Sequence, residues 1–332
     1  MTNEPAPDAG SSPLPPAGEV ARSAGEGSSP LPLAGEVARR AGEGSSPLPP
    51  AGEVARSAGE GLRLRLYYFL FGMISTIAVR IGGFRRKVTR QNLARSFPDL
   101  PESRRHEIER DYVRRQAEIF AEILYGGHIT AEELRSRVTI VNPELLASAQ
   151  PPRPVVIAGA HHCNWEWMLL RLSLELGPRL MGLYKPLKSR RVDAFFKDMR
   201  SRFGARMIPA KAVLQELARF REAGAIGLVA DQVPKTSPEK HWLEFLHQDT
   251  AFYMGPELMA RALRTQVICV QMHRHGRGRY SIELTALNEP GEKLPTGTLT
   301  ERYARHLETL IRKDPAGWWW GHKRWKLKRP VY

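Results

Sequence analysis

The sequence predicts an α/β domain, a central mixed sheet flanked by helices, preceded by a short hydrophobic anchor helix and a disordered repeat tail. Three observations carry that prediction. Short apolar runs at 155–158, 226–230 and 267–271 have the length and the boundaries of buried strands. The first runs straight into a polar turn and then a helical stretch, Met168–Leu176. A long amphipathic pattern from Ser103 to Leu124 supplies a flanking helix. With 332 residues, 42% of them apolar, the chain can bury a sizeable core. Composition excludes a collagen, a disulfide scaffold and a wholly disordered chain. A polytopic membrane protein is excluded as well, because no apolar run reaches the roughly 18–20 residues of a spanning helix. Two cysteines, Cys163 and Cys269, are too few for a disulfide framework and fit a reducing compartment.

Residues 1–61 stand apart. They contain 10 Gly and 10 Pro, no aromatic residue, and 4 Arg against 8 acidic residues. The remainder carries every aromatic and 46 basic against 27 acidic residues, net +19. The segment repeats with a period of 17: SSPLPPAGEVARSAGEG (11–27), SSPLPLAGEVARRAGEG (28–44) and SSPLPPAGEVARSAGEG (45–61). Between the first two copies only Pro16 against Leu33 and Ser23 against Arg40 differ. Each unit offers too few aliphatics to offset its ordering entropy, so disorder is expected. Near-identity of the copies suggests translated repetitive DNA or a start codon placed too far upstream; a flexible functional tail is the other reading.

An anchor is expected at 62–82, ahead of a catalytic domain at 83–332. Leu66–Val79 is uncharged and mostly apolar, with Arg63 and Arg65 before it and Arg80, Arg85, Arg86, Lys87 and Arg90 after it. Fourteen residues suit an interfacial segment or a buried helix better than a full span. If the run inserts, the larger basic cluster puts the following domain on the cytoplasmic side. The next helix, capped by Ser103, carries Ile108, Tyr112, Val113, Ala117, Phe120 and Leu124 on one face and Arg104, Arg105, Arg110, Arg114 and Arg115 on the other. That basic face suits a solvated surface or anionic lipid.

The chemistry concentrates after the strand at 155–158, in His161-His162-Cys163-Asn164-Trp165-Glu166-Trp167. Polar residues just past the carboxyl end of a strand occupy the ligand position of open α/β sheets. On one continuous helix His161 and Glu166 would point about 140° apart. With His161 in the turn and Glu166 in the first helical turn, the chain can bend them together. A carboxylate on one imidazole nitrogen sets the tautomer and supports the charge formed when the other nitrogen takes a proton. His161 is therefore the expected general base and Glu166 its orienter. A metal held by His161, His162, Cys163 and Glu166 is not expected, since adjacent histidines rarely converge on one ion.

The HHCNWE block resembles the His-x4-(Asp/Glu) motif of the lysophospholipid acyltransferase superfamily, and the wider text is similar to the lipid A biosynthesis lauroyl/myristoyl acyltransferases. The likeness runs in order through GFRRKVTRQNLARSFPD (83–99), Tyr184-Lys185-Pro186, the stretch from Asp193 to Pro209, Gly224 to Asp231-Gln232, and Trp318 to Lys326. It covers about residues 62–332. The resemblance implies a glycerol-3-phosphate acyltransferase-like fold and transfer of an acyl chain from an acyl carrier protein thioester to a hydroxyl of a lipid A precursor, with no acyl-enzyme intermediate, no cofactor and no metal. It also implies location at the cytoplasmic face of the bacterial inner membrane, with anionic lipid and a glycolipid acceptor as partners. Asn164 or amides at the start of the 165–176 helix are expected at the oxyanion. Lys185 and the Arg190–Arg191 pair are expected at phosphates of the acceptor or of the carrier's arm, and Asp231 at the site edge as a structural carboxylate.

The chain departs from the family pattern at Cys163, at Lys185 in place of an Arg, and at Trp242–His247, where a Phe-Phe-Gly-type turn stands in the family. Other acceptors, a lysophospholipid or an amino-acid lipid, stay open. The rival of another class is a basic nucleic-acid-binding protein, for which no recognition motif accompanies the charge.

Overall fold

The computed structural model describes residues 61–73, 85–147, 149, 154–213, 215–220, 222–234 and 239–329. The chain divides into units 1–50 and 51–332. Residues 1–60, which hold nearly all of the expected repeats, residues 74–82 of the expected anchor, and residues 83–84 lie outside the described residues.

In chain order the strands are β1 (Val138–Ile140), β2 (Val155–Gly159), β3 (Leu180–Tyr184), β4 (Arg206–Pro209), β5 (Ala225–Val229), β6 (Lys240–Phe245), β7 (Gln248–Tyr253), β8 (Val267–Gly276) and β9 (Arg279–Ala286). The helices are α1 (61–73), α2 (Arg86–Ser96), α3 (Glu102–Tyr125), α4 (Ala131–Arg137), α5 (Trp165–Leu176), α6 (Arg190–Ser201), α7 (Leu217–Phe220), α8 (Gly255–Leu263) and α9 (Thr298–Lys313). Seven strands form one mixed sheet in the order β1-β9-β8-β2-β5-β3-β4. Strands β8, β2, β5, β3 and β4 run parallel, and β9 turns back antiparallel to β8. All three expected strands are present, as β2, β5 and β8.

The sheet is covered on both faces, which explains why its strands read as unbroken apolar runs. Val156, Ala158 and Ile226 belong to one core with residues of α8, α9 and the β6–β7 hairpin. Val155, Ile157 and Ala225 belong to the other, with residues of α4 and α5. The period of two along β2 distributes its side chains between these cores.

Helix α3 begins one residue before the expected cap: Pro101 is extended at its N-cap and Ser103 lies in the first turn. Several of its arginines are engaged within the protein. Arg104 pairs with Glu107, Arg114 with Asp111 and Glu118, and Arg115 with Asp111 and Asp314, while Arg105 donates to the carbonyls of Phe97, Pro98 and Leu100. Glu122, fully buried on the same helix, accepts from the hydroxyls of Tyr68 and Tyr280, the Asn164 amide and the Gly278 N–H. Tyr68 thereby ties α1 to α3, and Tyr67 packs edge-on against Tyr125 at 5.6 Å. Among the described residues no helix is long and apolar enough to cross a membrane.

The first and last blocks of the sequence meet in space. Asn92 of α2 donates to the carbonyls of Trp320 and His322 at 2.9 Å, Arg85 donates to the Gly321 carbonyl, and the Tyr112 hydroxyl accepts from the Gly321 N–H. Trp318 and Trp320 are buried, so the tryptophan-rich ending is a core plug.

Candidate active site

Strands β2 and β5 lie side by side in parallel with Gly159 opposite Val229. Two residues further along each chain, His161 and Asp231 leave the sheet at its carboxyl edge as neighbours. The Nδ1 of His161 lies 2.7 Å from Oδ1 of Asp231, and the His161 main-chain N–H donates to Oδ2 at 3.0 Å. The Trp318 indole N–H donates to the same Oδ2 at 2.9 Å. The strand end is secured by the Tyr303 hydroxyl on the Gly159 carbonyl and by the Ala230 N–H on the same oxygen.

These contacts set the protonation states. Burial works against the Asp231 charge, but His161 and the Trp318 and main-chain N–H donors outweigh it and hold the carboxyl down to about 2. Burial likewise opposes a charged His161, and the Asp231 carboxylate overcomes it, leaving the imidazole above its ordinary value. An ionised Asp231 on Nδ1 keeps the neutral ring protonated there, so Nε2 carries the lone pair. That nitrogen faces outward, 3.2 Å from the Gln232 side-chain amide.

Beside the His161 ring lies an aromatic series. Trp165 is 5.1 Å from the His161 ring, Trp319 5.8 Å from Trp165, and Phe120 5.8 Å from Trp319. Phe120 is exposed on α3, so the series runs from the imidazole to the surface.

Two expected roles are corrected. Glu166 does sit in the first turn of α5, but its carboxylate makes no hydrogen bond to His161. It is buried and turned to Arg200 of α6, whose Nε donates to Oε2 at 2.8 Å and whose Nη2 donates to Oε1, with the Trp165 indole N–H at 3.2 Å. The bidentate guanidinium fork is the better partner for a buried carboxylate. Its charge still acts on His161 through space, after that of Asp231. Asn164 is not an oxyanion donor. It is buried as the N-cap of α5, accepting from the Trp167 N–H at 3.0 Å and donating to Glu122 at 2.9 Å.

Lys185 follows directly on β3, at the same carboxyl edge as His161 and Asp231, and Arg190 opens α6; both are exposed and neither is ion-paired among the described residues. His162, Cys163 and Asp314 come close enough to hold an ion. Their donor atoms are otherwise engaged, however. Both nitrogens of His162 face carbonyls, of Met272 and Asp314, and Asp314 Oδ1 accepts from Arg115. Burial drives the Cys163 thiol well above its ordinary value, which opposes the thiolate a metal needs. The trio instead locks the turn to the C-terminal plug, where Cys163 N–H donates to the Gly317 carbonyl and the His162 ring occupies the space a Cβ on residue 317 would take.

Three residues escaped the sequence reading: Arg200, Trp318 and Gln232 as a contact of Nε2. Gln232 follows the strand-ending Asp231, but its place beside Nε2 depends on β5 pairing with β2, and no spacing announces Arg200, which reaches Glu166 from 34 residues away.

A buried carboxylate on one nitrogen of an imidazole, at the carboxyl edge of a parallel sheet, is an arrangement chemically able to take up a proton at the other nitrogen. The family model for bacterial lipid A biosynthesis acyltransferases matches residues 62–327, and the chain belongs to that family. No curated protein matches the chain.

Proposed function

We propose that the protein transfers a fatty acyl chain of the lauroyl/myristoyl class from an acyl carrier protein thioester to a hydroxyl of a lipid A precursor. The observation that supports this mechanism is the buried Asp231 on Nδ1 of His161, with Nε2 turned outward. The acceptor hydroxyl displaces the Gln232 amide and gives its proton to Nε2. Its oxygen forms a bond to the thioester carbon, and the tetrahedral oxyanion then collapses with cleavage of the C–S bond. The departing thiolate recovers the proton from Nε2. Asp231 supports the imidazolium between these steps, and no acyl-enzyme forms. The Trp165 and Glu166 N–H groups, at the start of α5 and without an acceptor among the described residues, serve the oxyanion together with Nη1 of Arg200.

Lys185 and Arg190 bind phosphates of the acceptor or of the carrier's arm. The ring series from His161 to Phe120 offers the acyl chain an apolar route. The scheme uses no cofactor and no metal. Segment 62–82 holds the domain on the cytoplasmic face of a bacterial inner membrane, with anionic lipid as its partner.

The test is acyl transfer in detergent micelles, supplying acyl carrier protein thioesters of several lengths and a lipid A precursor. Wild type should transfer, and His161→Ala, folded by circular dichroism, should lose about 10²–10⁴ in rate. Undiminished transfer by His161→Ala would sink the mechanism; transfer to a lysophospholipid in preference to the lipid A precursor would change the acceptor.

A further inference from the structure

Helix α6 has two unlike faces. Inward, Met199 is buried and Arg200 holds Glu166. Outward, Val192 and Phe195, with Leu187 of the preceding loop, are 44%, 37% and 45% exposed. Around them Lys185, Lys188, Arg190, Arg191 and Lys197 are also exposed, and none of the five makes an ion pair among the described residues. The acidic residues on this stretch are only Asp193 and Asp198. Asp193 is engaged, accepting the Leu187 N–H at 2.7 Å and so fastening the loop to the first turn of the helix. The contrast with α3 is direct, since most arginines there are matched by carboxylates or carbonyls of the protein itself.

Single exposed aliphatics are ordinary on a protein surface. Three large ones within nine residues, ringed by unmatched cations, form an amphipathic surface suited to a negatively charged, apolar-cored partner. The position of α6 points the same way. The Phe195 ring lies against Gly127, just past the end of α3, while α1 packs on that same end through Tyr67 and Tyr125 and turns Leu66, Phe69 and Leu70 outward.

We propose that loop 185–188 and the outer face of α6 form a docking surface for an anionic lipid bilayer, additional to the N-terminal segment. Leu187, Val192 and Phe195 enter the headgroup region, and Lys188, Arg191 and Lys197 meet the phosphates of the bilayer lipids, leaving Lys185 and Arg190 to the substrates. The inference deepens the proposed function, because the helix that touches the membrane is the one that holds Glu166. Its test reads binding and not turnover, so either can fail without the other.

The experiment uses the full chain with Val192→Cys carrying an environment-sensitive fluorophore; Cys163 and Cys269 are buried, so the label reports this one position. Vesicles of phosphatidylcholine with phosphatidylglycerol should blue-shift the label, phosphatidylcholine alone should not, and salt should weaken the response. In the unlabelled chain, Leu187→Ser with Phe195→Ser should lower apparent vesicle affinity about tenfold or more. Protein that sediments with anionic vesicles while the label stays in water would overturn the proposal and leave α1 as the contact. A label that responds to acidic acyl carrier protein and not to vesicles would overturn it in favour of a protein-docking surface. The labelled chain decides the matter even if the double variant fails to fold.

Discussion

Asp231 holds His161 by ring and by backbone at once: Oδ1 takes Nδ1 at 2.7 Å and Oδ2 takes the main-chain N–H at 3.0 Å. Two contacts from one carboxylate fix the ring's tautomer and also the turn that carries it. Because β2 and β5 are paired in register, the sheet itself brings the two residues together. Glu166, five residues from the histidine, instead pairs with Arg200 of α6. The site thus has two carboxylates with separate partners, and the predictions distinguish them.

The first concerns pH. In the proposed mechanism His161 takes the acceptor's proton only when neutral, and its proton affinity is raised above the ordinary value of about 6.5 by Asp231. The rate should therefore climb with pH through a midpoint above that value. In Asp231→Asn the raising charge is gone while burial remains, so the midpoint should move to lower pH, and the maximal rate should fall by about 10²–10⁴ because the tautomer is no longer held. A kcat/KM profile against pH for both proteins checks this. An unmoved acid limb in Asp231→Asn would show that the carboxylate does not govern His161.

The second separates Glu166 from that role. Glu166→Gln removes a charge that acts on His161 through space and weakens the grip on Arg200, but leaves the Nδ1 contact intact. The acid limb should move less than in Asp231→Asn. Arg200→Ala, by contrast, strands a buried carboxylate and should cost about 3–5 kcal/mol of stability by denaturant unfolding. Adding Glu166→Gln to Arg200→Ala should recover part of that loss, which a double-mutant cycle measures.

How far these features could be read from sequence follows from their range along the chain. The strand at 155–158, the turn and α5 are local, and apolar runs bounded by Pro154 and Gly159 reveal them. Asp231 could be located at the end of a strand, but its adjacency to His161 depends on β5 pairing with β2, which no local pattern encodes. The five-residue spacing of His161 and Glu166 suggested a pair because both are close in sequence; Arg200 won the carboxylate through bidentate geometry from another helix. Asn164 looked like a free amide because the buried Glu122 lies 42 residues before it.

Glu122 carries the third prediction. It gathers four donors from α1, α5 and the β8–β9 connection into one buried group, and burial raises its pKa. Glu122→Ala leaves the Tyr280 hydroxyl and the Asn164 amide without an acceptor in a dry interior. Each such group costs about 1–3 kcal/mol, so the variant should lose about 3 kcal/mol or more. Urea unfolding checks the loss. Tyr68→Phe, which removes one partly buried donor, should cost only about 1 kcal/mol.

The last prediction concerns the β6–β7 hairpin, the segment that departs from the family's Phe-Phe-Gly-type turn. Its two turn residues, Leu246 and His247, both have left-handed backbone, with φ of 51° and 61°. A two-residue connection between antiparallel strands favours this conformation because its twist matches theirs, and glycine or asparagine adopts it at least cost. Leu246 is fully buried in the core and cannot be shortened without leaving a cavity. His247 is exposed, and among the described residues its side-chain hydrogen bond is a long one of 3.4 Å to Arg312. Relief of a left-handed non-glycine residue amounts to roughly 1 kcal/mol, offset in part by the greater freedom of glycine in the unfolded chain. His247→Gly should therefore stabilise the protein by a few tenths of a kcal/mol to about 1 kcal/mol, whereas Leu246→Gly should destabilise it by about 3 kcal/mol. Thermal unfolding should show the two substitutions moving Tm in opposite directions. A fall in Tm with His247→Gly would mean that the Arg312 contact outweighs the backbone strain.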